Sequence, residues 1–303
     1  MQLRHSSEFD SRAPLERVAA VLNAISEPQL KEWVRKIAVP RHFLLESKQN
    51  RATAAWLREQ FALQGYVVLD QGEHSNILAK PRDLAGEAIL IGAHYDTVPG
   101  SPGADDNGSA VAAMLGCAAA CSRQRVPVVF VAFNREEEHL TGSRDFVGHY
   151  LLAAEFRVRC AHILEMVGFA SAKPGSQKLP TALPIQLPDR GDFLGLLAND
   201  SSAQFMDSAL VEARTYLPSF PVIGLKVQPG VERVFPVLAR SDHVPFWETQ
   251  RPAVMWTDTA EFRNPHYHQS SDTPDTLDYG FLLEVTQLLT AVVLAQAGGI
   301  TTR

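Results

Sequence analysis

Between Ile91 and Ala110 the chain reads IGAHYDTVPGSPGADDNGSA, which sets His94, Asp96, Asp105 and Asp106 among glycines and small residues just after an apolar run. An imidazole beside carboxylates, without thiolate, is a donor set for a cation such as zinc. The same letters also make a polar turn, and DDNGS is a good turn and helix N-cap sequence. Further on, Glu136, Glu137 and Glu138 stand in AFNREEEHLTGS, Glu165 in HILEMVG, and His266 and His268 in NPHYHQSSDTPDTLD. Each of these has an ordinary reading as well. Three consecutive glutamates suit a solvated helix start, and a lone histidine usually satisfies a hydrogen bond.

Their placement on elements separates the readings. EAILIGA and VPVVFVAF are almost wholly apolar, as central strands buried on both faces require. AHIL and PAVMWTD read as further strands. In open α/β sheets, sites form outside the carboxyl ends of the strands. His94 and Asp96 follow the first strand, Glu136 to Glu138 the second, Glu165 closes the third, and His266 and His268 follow the fourth. A parallel sheet brings those ends together.

Around these strands, PLERVAAVLNAI, EPQLKEWVRKIAV and NRATAAWLREQFALQGY carry helical periodicity. NGSAVAAMLGCAAACSR predicts a helix of small residues able to lie close to a sheet, and GFLLEVTQLLTAVVLAQA a closing helix. The alternation predicts an α/β fold, a mixed, mostly parallel central sheet flanked by helices on both faces. No linker divides the chain, so one domain is expected over 1–303, with 1–65 as an N-terminal helical segment packed on it. Pro174, Pro180, Pro184 and Pro188 mark 171–192 as a loop.

Composition is that of an ordinary globular protein: 303 residues, 46% hydrophobic and 20% charged. A net charge of −6 offers no basic field, so nucleic acid and anionic membranes are not expected partners. The three cysteines, Cys117, Cys121 and Cys160, do not form a disulfide framework and read as packing residues. The N-terminus lacks an apolar signal core and no membrane span is expected, which points to the cytoplasm.

His94-x-Asp96, GADDNGSA, AFNREEEHLTGS, LEMVG and YHQSSDTPDTLD, in that order over roughly Ser75 to Leu294, resemble the motifs of the M28 family of zinc aminopeptidases, relatives of glutamate carboxypeptidases and glutaminyl cyclases. The resemblance implies that His94 binds one ion and that Asp105 bridges two. Aligned on Gly142 and Ser143, it makes Glu136 the general base, Glu137 a ligand and Glu138 a spacer. Glu165 completes the His94 ion and His268 the other. Asp96 would orient His94 as a supporting carboxylate, and Asp106 is left to cap the following helix. Asp242, in SDHVPFW, resembles a residue near the active site, with His243 a structural hydrogen-bonding residue. Two departures stand out. Glu165 replaces the usual aspartate, a shift of roughly 1.5 Å in carboxylate position. His139 replaces the usual glycine and is expected at the pocket or surface.

Two Zn²⁺ ions with Asp105, Glu137, Glu165 and one hydroxide sum to zero charge, which favours a two-ion site over one ion crowded by three carboxylates. Manganese or cobalt could substitute. The implied reaction is hydrolysis of the N-terminal peptide bond, with a peptide bearing a free amino terminus as substrate. Its side-chain pocket is expected from 171–192 and 228–248. A single-zinc glutaminyl cyclase and a non-catalytic binding module on the same scaffold are the alternatives. No G-x-S-x-G elbow is present for a serine hydrolase.

Overall fold

The computed structural model describes residues 1–180, 183–228 and 230–298. Nine strands form one sheet: β1 (Gln2–His5), β2 (Val67–Gln71), β3 (Asn76–Lys80), β4 (Gly86–His94), β5 (Val128–Phe133), β6 (Phe156–Glu165), β7 (Leu194–Asn199), β8 (Val222–Val227) and β9 (Ala253–Thr257). Their spatial order is β1-β8-β7-β9-β6-β4-β5-β3-β2. The middle, β5-β4-β6-β9, is parallel, while β3 runs antiparallel to β5 and β7 antiparallel to β9. The register pairs His94 with Phe133 and Glu165 with Thr257, so the carboxyl ends of four strands share one edge.

Six longer helices pack on one face: α1 (Glu16–Asn23), α2 (Glu27–Ile37), α3 (Ser47–Leu63), α4 (Ala110–Cys121), α5 (Ala203–Tyr216) and α6 (Tyr279–Gln296). Their apolar residues join Ile89, Ile91, Phe130, Leu164, Leu196 and Trp256 in the main core. Alternate residues of the same strands, Leu90, Val131, Phe133 and Ile163, point the other way. They are covered by short helical segments within Thr141–Ala153 and by Val244–Glu248. Small residues let α4 sit close. A Cβ at Gly116 would lie 2.8 Å from Thr286 Cγ2 of α6 and 3.0 Å from a methyl of Leu30 in α2.

Two details add to the sequence reading. The N-terminal segment is not only helical: residues 2–5 form the edge strand β1, antiparallel to β8, with Leu3 opposite Leu225. Arg4 then pairs with Asp207 and Arg12 with Glu212, which straps this segment to α5. Second, α6 has the length and hydropathy of a membrane span, with 72% of it buried inside the protein.

Candidate metal centre

His94, the last residue of β4, is 1% exposed, and its Nε2 has no hydrogen-bond partner. That nitrogen faces Asp106 Oδ1 at 3.3 Å, Glu165 Oε2 at 3.6 Å and Glu136 Oε2 at 3.9 Å. On the other side of Asp106, Oδ2 lies 3.2 Å from His268 Nε2, which is 3.3 Å from Glu137 Oε2. Two triads result, His94–Asp106–Glu165 and Asp106–Glu137–His268, each with one donor atom per residue within 4.8 Å of the others. They share one aspartate.

These separations exceed charge-assisted hydrogen bonds, about 2.7–2.9 Å. They match the edge of a tetrahedron, roughly 3.3–3.5 Å, whose centre lies about 2.0–2.1 Å from nitrogen and oxygen donors. A buried imidazole nitrogen without a partner and a buried, unpartnered Glu137 Oε1 are the atoms a cation would satisfy. The residues fit a pair of zinc-like ions.

Local hydrogen bonds explain how the chain delivers these groups. Asp96 accepts the backbone N–H groups of Glu136 at 3.2 Å and Glu137 at 3.3 Å, and its Oδ1 is 3.5 Å from His94 Nδ1. One residue therefore orients three of the clustered side chains, its carboxylate taking both glutamate amides and its carbonyl lying 3.3 Å from His94 Nδ1. The turn carrying Asp106 is tied to the end of β6: Asn107 donates to Leu164 O at 2.9 Å and accepts from Met166 N at 2.9 Å. Asp272 accepts the N–H of Asp105 at 2.9 Å and of Asp106 at 3.1 Å. Ser241 donates to Glu165 Oε2 at 2.7 Å. Arg41 is wholly buried and donates to the carbonyls of Tyr95, Ile37 and Gly103, clamping the segment after β4.

The expectation that Asp105 bridges the ions is corrected by the structure. Its carboxylate turns away from both triads, accepting Gly168 N–H at 2.9 Å and Asn264 Nδ2–H at 2.6 Å. A Cβ at Gly168 would lie 2.9 Å from Asp105 Oδ1, so only glycine lets this amide approach. With both backbone amides held by Asp272, the consecutive side chains leave the turn on different sides. Asp106 takes the shared position and does not cap α4, whose N-cap residue is Ser109.

The remaining candidates are placed as follows. His266 Nδ1 lies 2.9 Å from Ser271 Oγ, away from the triads, and Glu138 turns toward Arg135. His139 lines the cavity beside the site. Asp242 is 1% exposed with both carboxylate oxygens unpartnered, and burial pushes it up to about 7. His243 is buried with Nε2 3.1 Å from Leu238 O, and burial lowers it to about 4.

Crowded, desolvated carboxylates titrate abnormally. Burial holds Glu136 well above the usual carboxylate range, with Glu165 and Glu137 adding repulsion and His94 opposing it. Burial and the charge of Asp106 lift Glu137 to about 7. Burial opposes charge on His268, yet its contacts with Asp106 and Glu137 raise it to about 10.

A cavity of about 480 Å³ opens on Asp106, Glu136, Glu137, Glu165 and His268, within the roughly 300–1,000 Å³ range of small-molecule sites. Away from the carboxylates its walls turn apolar, with Leu197, Ile223, Leu225 and Met255 from the sheet, Leu3 from β1, and Leu183, Ile185 and Leu238 from covering segments.

The sequence profile described as Peptidase family M28 matches residues 76–293. The Escherichia coli protein YfbL is 33% identical over 285 residues, spanning 86% of this chain and 85% of its own. The structure of BSAP, a zinc aminopeptidase from Bacillus subtilis, is 28% identical with a TM-score of 0.53, covering 73% of this chain and 49% of that one. This chain thus spans about half of that relative's length. The Legionella pneumophila LapA aminopeptidase shares the fold at 20% identity and a TM-score of 0.74, over 95% of this chain and 77% of that one.

Proposed function

From its membership of peptidase family M28, to which the chain belongs, we propose that it is a two-zinc aminopeptidase that removes the first residue of a peptide. The observation that carries this reading is the pair of triads sharing Asp106. His94, Asp106 and Glu165 would hold one ion, and Asp106, Glu137 and His268 the other. Manganese or cobalt also suits these donors. Three carboxylates and two neutral imidazoles leave one positive charge against two divalent ions, which a single hydroxide neutralises.

When bound, the ions supply a water of lowered pKa, about 7, and polarise the scissile carbonyl. Glu136 moves the protons. It takes one from the attacking water and hands it to the departing amine. Asp96 keeps Glu136 and Glu137 in register through their backbone amides. The acidic end of the cavity attracts the substrate's ammonium group, and the apolar end suits a large apolar first side chain. A single-ion cyclase would leave one of the two triads without an ion, and a binding module would leave both triads and Glu136 without a task.

The test is metal content per chain, together with hydrolysis of aminoacyl chromogenic substrates before and after chelation. Two zinc ions and activity restored by zinc are expected. Fewer than one ion, with no activity on restoration, overturns the reading.

A further inference from the structure

The two histidines of the centre are held in different ways. His94 Nδ1 lies 3.3 Å from the Asp96 carbonyl oxygen and 3.5 Å from its carboxylate, the usual kind of support for a ligating imidazole. His268 is held otherwise: among the described residues, its polar contacts run through Nε2, to Asp106 and Glu137. It sits at a left-handed φ of 58° and its side chain is 33% exposed. Its ring instead lies on that of Tyr267, with centroids 3.8 Å apart and planes 21° from parallel. Tyr267 is itself fixed from outside. Arg240 donates to its hydroxyl at 2.9 Å, the guanidinium carbon lies 5.9 Å from the ring centroid, and Glu261 pairs with Arg240.

We propose that Tyr267 is a positioning residue for His268, and that the Glu261–Arg240–Tyr267 chain does by stacking what Asp96, through its carbonyl and carboxylate, does for Nδ1 of His94. The inference rests on the two-ion reading and concerns only the triad containing His268. A free imidazole on a half-exposed loop can rotate about χ1 and χ2. A parallel ring at stacking distance removes most of that freedom, and an aromatic pair contributes beyond its buried area. Losing this orientation should weaken the ion held by His268 and leave the His94 ion alone. Supporting partners of metal ligands are worth about 10–100-fold in affinity.

The experiment is competitive zinc titration against a chromogenic chelator, resolving both affinities, on wild type, Tyr267→Phe, Tyr267→Ala and Arg240→Ala. In Tyr267→Ala one of the two affinities should fall about 10–100-fold, with the other within about twofold. Tyr267→Phe keeps the ring and should lose less than Tyr267→Ala, with Arg240→Ala similarly mild. Unchanged affinities in Tyr267→Ala overturn the proposal. So does an equal loss at both sites accompanied by a lower melting temperature of the metal-free protein, because that marks a merely structural residue. Should Tyr267→Ala fail to fold, Tyr267→Leu and Arg240→Ala decide by the same comparison. Wild type that binds fewer than two ions overturns the two-ion reading instead, before any variant is considered.

Discussion

Asp96 accepts the backbone N–H of Glu136 at 3.2 Å, so the carboxylate beside the first histidine also fixes the proposed base, which lies 40 residues further along the chain. Replacing Asp96 with alanine leaves the Glu136 and Glu137 amides without this buried acceptor and removes the carboxylate 3.5 Å from His94 Nδ1, which keeps the residue's backbone carbonyl as partner. Zinc affinity should fall about 10–100-fold, and turnover should fall even at saturating zinc. Zinc titration combined with kcat at saturating metal checks both. Unchanged kcat in metal-loaded Asp96→Ala refutes the positioning role.

Glu136→Gln keeps size and shape but removes the proton acceptor. Turnover should drop by about 10²–10⁴-fold, while zinc content stays at the wild-type value. Metal analysis alongside kcat separates loss of base from loss of ions.

The neighbouring aspartates give opposite predictions. Asp106→Asn weakens the shared position and should deplete both ions. Asp105→Asn lies outside the triads, so it should lower thermal stability while leaving zinc stoichiometry unchanged. Metal counting on the two variants decides between the residues. Full zinc in Asp106→Asn together with depleted zinc in Asp105→Asn would reinstate Asp105 as the bridge.

The metal-free protein should lose stability as pH rises from about 4 to about 7. Burial lifts Glu137, Asp242 and Asp272 to about 7, whereas unfolded carboxyls titrate near about 4. A raised folded pKa contributes stability that is present below the unfolded value and lost as pH climbs through the folded one. His268, raised to about 10, has the same sign at higher pH. Asp106 is held below its ordinary range by His268 and His94 against the cost of burial, so its contribution is lost only in stronger acid. Melting temperature against pH, with chelator and with zinc, checks this. Zinc should abolish the decline.

The apolar end of the cavity should make leucine and phenylalanine better first residues than lysine or glutamate. Leu238→Glu places a charge among Leu183, Leu197 and Leu225. It should lower kcat/KM for leucyl and phenylalanyl substrates by at least tenfold relative to alanyl ones, since a methylene or two is worth roughly 10–200-fold. A substrate panel on one preparation cancels differences in active fraction.

The strands that carry the centre were legible because AILIGA and VPVVFVAF are apolar without interruption, and the rule for strand ends then located His94, Glu136, Glu137 and Glu165. Which residue of the Asp105–Asp106 pair turns inward was not legible. It depends on how Asp272, 166 residues beyond Asp106, grips both amides. Arg41 gave no signal, since a single arginine in VPRHF looks like any surface cation until its carbonyl partners surround it. β1 is four residues long, too short to show a period, and exists because β8 offers it an edge.

The cavity has a floor and a lid of different kinds. Its floor residues Met255 and Ile223 sit on strands whose alternate residues, Val254, Trp256 and Val222, belong to the main core under the helices. Its lid residues Ile185 and Leu238 come from covering segments that share no strand with that core. Substitutions in the lid can therefore reshape the range of accepted peptides without changing the strands that hold the protein folded. Selectivity and robustness are separately adjustable in this chain, which makes the lid the place to redesign.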